Sequence, residues 1–137
     1  TDLKNKFSTE EYKSSIFFHG YLEGKMKNEC ILKSDILVFP SYTEGLPSTV
    51  LESMAAGLCI ISTSVGGLQD ILINRHNSII LKSPPSSKDI EEKLGEIMND
   101  SKLFNNMRMV NYLESRRKYD SSTVSKKINQ LYNRILP

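Results

Sequence analysis

The sequence predicts an α/β fold in which a parallel sheet is covered by helices on both faces. Three observations carry this expectation. Short runs that are apolar throughout, Ile16-Phe17-Phe18, Ile36-Leu37-Val38-Phe39, Leu58-Cys59-Ile60-Ile61 and Ile79-Ile80-Leu81, have the length and continuity of strands buried on both faces. Helical patterns alternate with those runs. The 137 residues, 39% hydrophobic and 25% charged, match one globular domain, large enough to bury roughly two thirds of its unfolded surface.

Residues 1–15 are polar and mixed, and residues 16–19 form the first expected strand, ended by Gly20. A short helix over residues 25–33 presents Met26, Cys30 and Ile31. Residues 35–39 are a second strand, stopped by Pro40. A helix over residues 49–56 ends at Gly57, which suits a left-handed C-cap. Residues 58–62 are a third strand, Gly66-Gly67 opens a loop with a short helix near residues 68–72, and residues 78–81 are a fourth strand. Pro84-Pro85-Ser86-Ser87 then breaks the chain and caps a helix whose inward stripe is Ile90, Leu94, Ile97 and Met98. Two more helices follow, at about residues 102–117 with Leu103, Met107 and Val110 inward, and about 122–135 with Val124, Ile128, Leu131, Tyr132 and Ile135 inward. The expected organisation is a single domain over residues 1–137 with a helical portion over about 86–137.

Several functions are excluded. A net charge of +2 gives no electrostatic case for nucleic acid, and the densest basic run, Arg116-Arg117-Lys118, reads as a solvated helix end. No apolar run approaches the ~18 residues of a membrane span, and the polar start Thr1-Asp2-Leu3-Lys4 is not a secretory signal. Cys30 and Cys59 lack metal-ligand spacing and read as reduced thiols of a cytoplasmic protein. His19 reads as a packed core residue and His76 as a solvated one. There is no Gly-x4-Gly-Lys phosphate loop and no Gly-x-Ser-x-Gly elbow, which argues against ATPase and hydrolase readings.

The chemistry concentrates in Glu44-Gly45-Leu46-Pro47-Ser48-Thr49-Val50-Leu51-Glu52. Glu44 falls in a strand-to-helix loop, and Glu52 about one turn into the helix. A helix N-terminus offers backbone N–H groups and a positive dipole end to an anion. Two acids beside such a site suit a nucleotide sugar, with phosphates on the amides and ribose and sugar hydroxyls on the carboxylates. A plain structural alternative has equal standing on spacing alone: Thr49 and Glu52 form a capping box, Glu44 is an ordinary loop acid, and Gly66-Gly67 is a turn.

Residues 34–41, 44–57 and 60–67 together resemble the group 1 (family 4) retaining glycosyltransferases, with their Glu-x7-Glu signature, in order and spacing. The likeness extends upstream to Phe18-His19-Gly20 and downstream to Asn77-Ser78-Ile79-Ile80-Leu81. It implies the Rossmann-like C-terminal, donor-binding half of a GT-B fold. It also implies a nucleotide diphosphate sugar as donor substrate, with no cofactor and no metal. Glu44 would contact the transferred sugar as the catalytic residue, and Glu52 would bind the ribose. Amides of Gly45, Leu46, Thr49 and Val50 would hold sugar and diphosphate, and Gly20 and Tyr21 would flank the base.

Departures from the family pattern are Gln69-Asp70 where Pro-Glu is usual, and Ser78 for a glycine. Nothing in this sequence matches the family's first two donor-domain strands, with their Arg and Lys, or its N-terminal acceptor domain, so the resemblance covers a partial domain. The acceptor half would act in cis or in trans and would carry any peripheral membrane association. Lys25, Lys27 and Arg75 are the substitute cations this chain could offer. The implied function is retaining sugar transfer in polysaccharide or glycoconjugate biosynthesis, at the cytoplasmic face of a membrane or in the cytoplasm. The alternatives are a truncated, non-catalytic nucleotide-sugar-binding or association module, and a nucleotide-sugar epimerase.

Overall fold

A computed structural model describes Phe7 and residues 14–135 of the chain, which divides into two compact units, Thr1–Cys30 and Ile31–Pro137. In the first unit the expected strand over residues 16–19 does not form; the backbone there is irregular. Phe17, Phe18 and His19 are exposed, the imidazole lying 6.5 Å from the Phe17 ring in a stacked arrangement, so His19 is not a core residue. An apolar run becomes a strand only when neighbouring strands take up its N–H and C=O groups, and residues 16–19 join no ladder. Helix α1, Gly24–Leu32, begins in this unit, with Met26 exposed and Cys30 half-buried.

The second unit is built on three parallel strands, β1 Ile36–Phe39, β2 Cys59–Thr63 and β3 Ile79–Leu81, in the order β1-β2-β3. Ile36 is paired with Cys59, and Ile61 with Ile79. Alternation along each strand builds a core on either face. Ile60 joins Val50, Met54, Leu58, Leu68, Ile71 and Leu72 on one side, with Leu37 and Phe39 packed against them. Cys59 and Ile61 join Ile79, Leu81, Ile97 and Met107 on the other, with Ile36 and Val38. Each such side chain, fully buried, contributes about 1.5–3 kcal/mol.

Three helices cover the sheet, α2 Ser48–Ala55, α3 Ser87–Asn99 and α4 Ser101–Tyr119, and a fourth, α5 Ser121–Ile135, packs against α4. Gly57 ends α2 at φ 75°, its N–H donating to the Met54 carbonyl at 3.0 Å. Ser86 caps α3 by accepting the Asp89 N–H at 3.1 Å, while the buried Asp89 carboxylate accepts the Lys82 N–H at 2.7 Å. Asp100 closes α3 and caps α4, accepting the Leu103 N–H at 2.9 Å.

Helix α4 is fastened to the sheet by polar groups. Arg108 donates to the Gly57 carbonyl at 2.9 Å and pairs with Asp35 at 3.0 Å. Fully buried Asn111 donates from one Nδ2 to the carbonyls of Leu58 at 2.8 Å and Asn77 at 2.9 Å. Asn77, also buried, accepts the Ile73 N–H and donates to the Ile71 carbonyl, closing the loop before β3.

Two inward assignments fail. Met98 is 72% exposed, because it falls in the last turn of α3, beyond the core residue Ile97; both line an apolar hollow of about 320 Å³ with Ile36 and Phe104. Helix α5 forms with its apolar stripe intact, yet none of its residues is buried. Periodicity locates a stripe but not the surface that covers it.

Neither Cys30 nor Cys59 is in a disulfide. Burial pushes the Cys59 thiol up to about 11, overriding the downward pull of Arg108. The folded protein thus favours the protonated thiol. Its contribution is unchanged below the ordinary value of 9.0 and is lost as pH rises from there towards about 11. At pH 8 Cys59 is therefore expected to remain unalkylated by iodoacetamide in the native protein and to react fully in urea, read by mass spectrometry. Rapid native labelling at Cys59 would contradict its burial.

Candidate functional site

In an open parallel sheet, the loops after the C-terminal ends of the strands form the ligand-binding rim. Here the loops after β1 and β2 are fixed to each other by hydrogen bonds that begin in buried hydroxyls. Ser62 Oγ donates to the Phe39 carbonyl at 2.9 Å, and Thr63 Oγ1 to the Ser41 carbonyl at 2.5 Å. Ser41 Oγ in turn donates to Glu44 Oε1 at 2.6 Å, so the half-buried carboxylate is held in place before any ligand arrives. Farther along, the Gly67 N–H donates to the Gly45 carbonyl at 2.8 Å.

Two glycines permit this contact. Gly66 adopts φ +54°, and a Cβ there would lie 1.8 Å from the Glu44 carbonyl oxygen. A Cβ on Gly67 would lie 2.9 Å from the Gly45 carbonyl oxygen. Gly66-Gly67 is thus more than a turn; it is the seat of the Glu44 loop.

Helix α2 starts at Ser48, with Pro47 in the N-cap position and no side-chain cap. This places Thr49 inside the helix, so the Thr49–Glu52 capping box does not form. The N–H groups of Ser48 and Thr49 have no acceptor within the helix. That of Val50 is engaged, donating to the Pro47 carbonyl at 3.2 Å in a tightened first turn, and its side chain is fully buried. Gly45 and Leu46 are exposed on the loop and Thr49 is half-buried. Glu52 is half-buried one turn along α2, at an open cleft of about 250 Å³ shared with Leu51, Ala55, Ser115, Arg116, Tyr119 and Asp120.

The structure therefore brings Glu44, Gly45, Leu46, Thr49 and Val50 together where β1 gives way to α2, with Glu52 farther along that helix. Gly20 and Tyr21 lie in the first unit, both exposed, the tyrosine hydroxyl donating to Glu23 at 3.4 Å. Two substitute cations are otherwise engaged. Lys25 pairs with Glu29 at 3.7 Å. Arg75 is ion-paired with Glu96 in the loop that precedes β3, at the opposite ends of the strands from Glu44. Ser41 and Thr63 are legible in the sequence as polar residues at strand ends expected to converge on one rim, but their hydrogen bonds are not, and Arg116, read as part of a solvated helix end, instead lines the cleft at Glu52. Among the described residues, no three His, Cys, Asp or Glu side chains gather to hold a metal ion.

Comparison with known proteins places this geometry. Residues 1–113 match the family model "Glycosyl transferases group 1". The chain is 31% identical over 108 residues to the N,N'-diacetylbacillosaminyl-diphospho-undecaprenol alpha-1,3-N-acetylgalactosaminyltransferase of Campylobacter jejuni, covering 79% of this chain and 28% of that protein. The C-terminal domain of the group 1 glycosyl transferase LpcC from Francisella tularensis superposes with a TM-score of 0.74 at 27% identity, over 88% of this chain and 62% of that one. Anabaena HepE, solved with UDP-glucose, shares the fold at a TM-score of 0.80 and 14% identity, over 96% and 36% of the two chains. The chain thus spans about a quarter of the curated relative's length, and it belongs to the group 1 glycosyl transferases, with the α/β fold of their C-terminal domain.

Proposed function

We propose that this chain is the donor-binding part of a retaining glycosyltransferase that takes a nucleotide diphosphate sugar and works in polysaccharide or glycoconjugate biosynthesis at the cytoplasmic side of a membrane. The observation that carries this reading is the interlock of the Glu44–Gly45 loop with Gly66-Gly67, beside the uncapped N-terminus of α2. That arrangement offers an anion site and a prepositioned carboxylate on one rim.

The diphosphate would rest on the N–H groups of Gly45, Leu46 and Thr49. These stabilise the charge that develops as the bond from the anomeric carbon to phosphate breaks. Glu44, steadied by Ser41, would accept a hydroxyl of the transferred sugar and orient its anomeric carbon. Glu52 would accept the ribose hydroxyls. No cofactor or metal enters this scheme. The acceptor would be supplied by the rest of the protein, in cis or in trans, so the chain by itself binds donor without transferring sugar. The Campylobacter relative, by its name, glycosylates an undecaprenol-linked sugar, and a lipid-linked acceptor of that class is the one proposed here.

Two substitutions in the complete protein test the division of labour. Glu52→Ala is expected to weaken binding of nucleoside diphosphate by about 1–3 kcal/mol, read by calorimetric titration, with the fold intact. Unchanged affinity would remove Glu52 from the ribose. Glu44→Gln should cut turnover strongly while leaving nucleoside diphosphate affinity nearly intact. Parallel losses in both would make Glu44 a loop-structure residue, and intact affinity with no turnover in the wild type would favour a non-catalytic binding module.

A further inference from the structure

Strand β1 ends at Phe39, because Pro40 has no N–H to give to a ladder. Beyond that point two hydroxyls of β2 take over the tie. Ser62 and Thr63 are fully buried, so each hydroxyl needs a partner within the protein. Ser62 Oγ reaches the Phe39 carbonyl, and Thr63 Oγ1 the Ser41 carbonyl, one residue past the proline. The backbone of Ser41 is thereby fixed to the sheet, and its side chain acts on Glu44. A hydroxyl has one proton to donate. That of Ser41 has two acceptors in reach, the Thr43 carbonyl at 3.3 Å and Glu44 Oε1 at 2.6 Å. The shorter contact has the length of a charge-assisted bond to a carboxylate, roughly twice as strong as a neutral one, so the proton goes to Glu44. The other oxygen, Oε2, accepts nothing from the described residues.

We propose, resting on the assignment of Glu44 to the transferred sugar, that Ser41 and Thr63 are positioning residues that commit Oε1 of Glu44 to the protein and leave Oε2 to accept a single hydroxyl of that sugar. A carboxylate free to turn could take two adjacent hydroxyls, one on each oxygen. With Oε1 engaged, Glu44 reads the presence and direction of one hydroxyl instead of a vicinal pair. Thr63 touches no ligand in this arrangement. It holds the Ser41 backbone, Ser41 holds the carboxylate, and the carboxylate meets the sugar. A buried hydroxyl on β2 thus sets the aim of an acid nineteen residues earlier in the chain.

Release of nucleoside diphosphate by the complete protein tests this, with UDP-, GDP- and ADP-linked hexoses and N-acetylhexosamines as donors. No release from any of them by the wild type would overturn the donor-binding reading itself, and this proposal with it. With a donor that is turned over, Ser41→Ala should lower kcat by about 30-fold, below the 100-fold scale of a 1 Å misplacement, and leave nucleoside diphosphate affinity unchanged. Ser41→Thr, which keeps the hydroxyl, should restore most of kcat, and Ser41→Val, of the same shape without it, should not. Thr63→Val should lower kcat by about threefold to tenfold, the worth of one neutral hydrogen bond. In a Glu44→Gln background, Ser41→Ala should cost no more than about twofold, because its effect passes through the carboxylate. Among analogues of that donor deoxygenated at single ring carbons, one alone should lose its sensitivity to Ser41→Ala. Undiminished kcat in Ser41→Val, or the same loss with and without Glu44, would overturn the proposal and leave the donor site standing. So would an equal Ser41→Ala penalty on every deoxygenated donor.

Discussion

Replacing Gly66 by alanine in the complete protein is expected to reduce sugar transfer by at least about 100-fold, the scale of loss that a displacement of roughly 1 Å at a reacting centre produces. The cause is backbone geometry. The added Cβ would fall 1.8 Å from the Glu44 carbonyl oxygen, and φ at this residue is +54°. No side-chain rotation relieves either problem, so the Glu44 loop or the Gly66 turn must shift, and the Gly67–Gly45 hydrogen bond shifts with it. The effect should fall mainly on turnover, because Glu52 is on α2, and less on nucleotide affinity. Gly95→Ala is the matched control. Gly95 is inside α3, with nothing within 4 Å of an added Cβ, so that variant should keep full activity and gain about 0.5–1 kcal/mol of stability. Wild-type turnover in Gly66→Ala would show that the interlock of the two loops is dispensable.

The largest effect on stability is expected at Asn111. Its single Nδ2 serves two carbonyls, one at the start of β2 and one in the loop before β3, and the side chain is fully buried. Asn111→Ala withdraws both bonds and opens a void among polar groups that water reaches poorly. A cost of about 2–4 kcal/mol is expected, since orphaned buried acceptors are penalised more than a hydrogen bond is worth. Urea denaturation of the wild type and the variant measures it through the midpoint at constant slope. Asn111→Leu should be no better, because it restores volume but not the donors. A loss below about 0.5 kcal/mol would mean that other donors reach both carbonyls.

Much of the fold was legible because it is local. Apolar runs of three or four residues located β1, β2 and β3, and helical spacing located α2 to α5 to within a few residues. Gly57 announced the end of α2, and Ser86 the start of α3. The misreadings concern properties that no local pattern contains. Residues 16–19 have a strand's composition, but a strand needs a ladder. Val124, Ile128 and Leu131 have a core stripe's spacing, but spacing is silent about a partner. Met98 continues the periodicity of Ile90, Leu94 and Ile97, yet a helix can outrun the core it covers.

The candidate site divides in the same way. Glu44 and Glu52 stood out through their separation and the turn between them. The hydrogen bond from Ser41 to Glu44 is local, but the support of that loop by Thr63 and Gly66 arises from the parallel pairing of β1 with β2, which sets residues more than twenty positions apart against each other. The capping-box alternative was open in the sequence because Thr-x-x-Glu has the right spacing. A start at Ser48 closes it.

The strand order has a consequence for how the chain is made. β1, β2 and β3 lie side by side in the order in which a ribosome delivers them, each joined to the next through a helical connection. A nascent chain can therefore finish one strand–helix–strand unit before the next strand emerges, and no strand has to be threaded between two already paired. The rim follows the same schedule. The Glu44 loop and α2 are made before the glycines that seat them, so the site stays open until β2 has docked and Gly66-Gly67 comes to rest against the waiting loop.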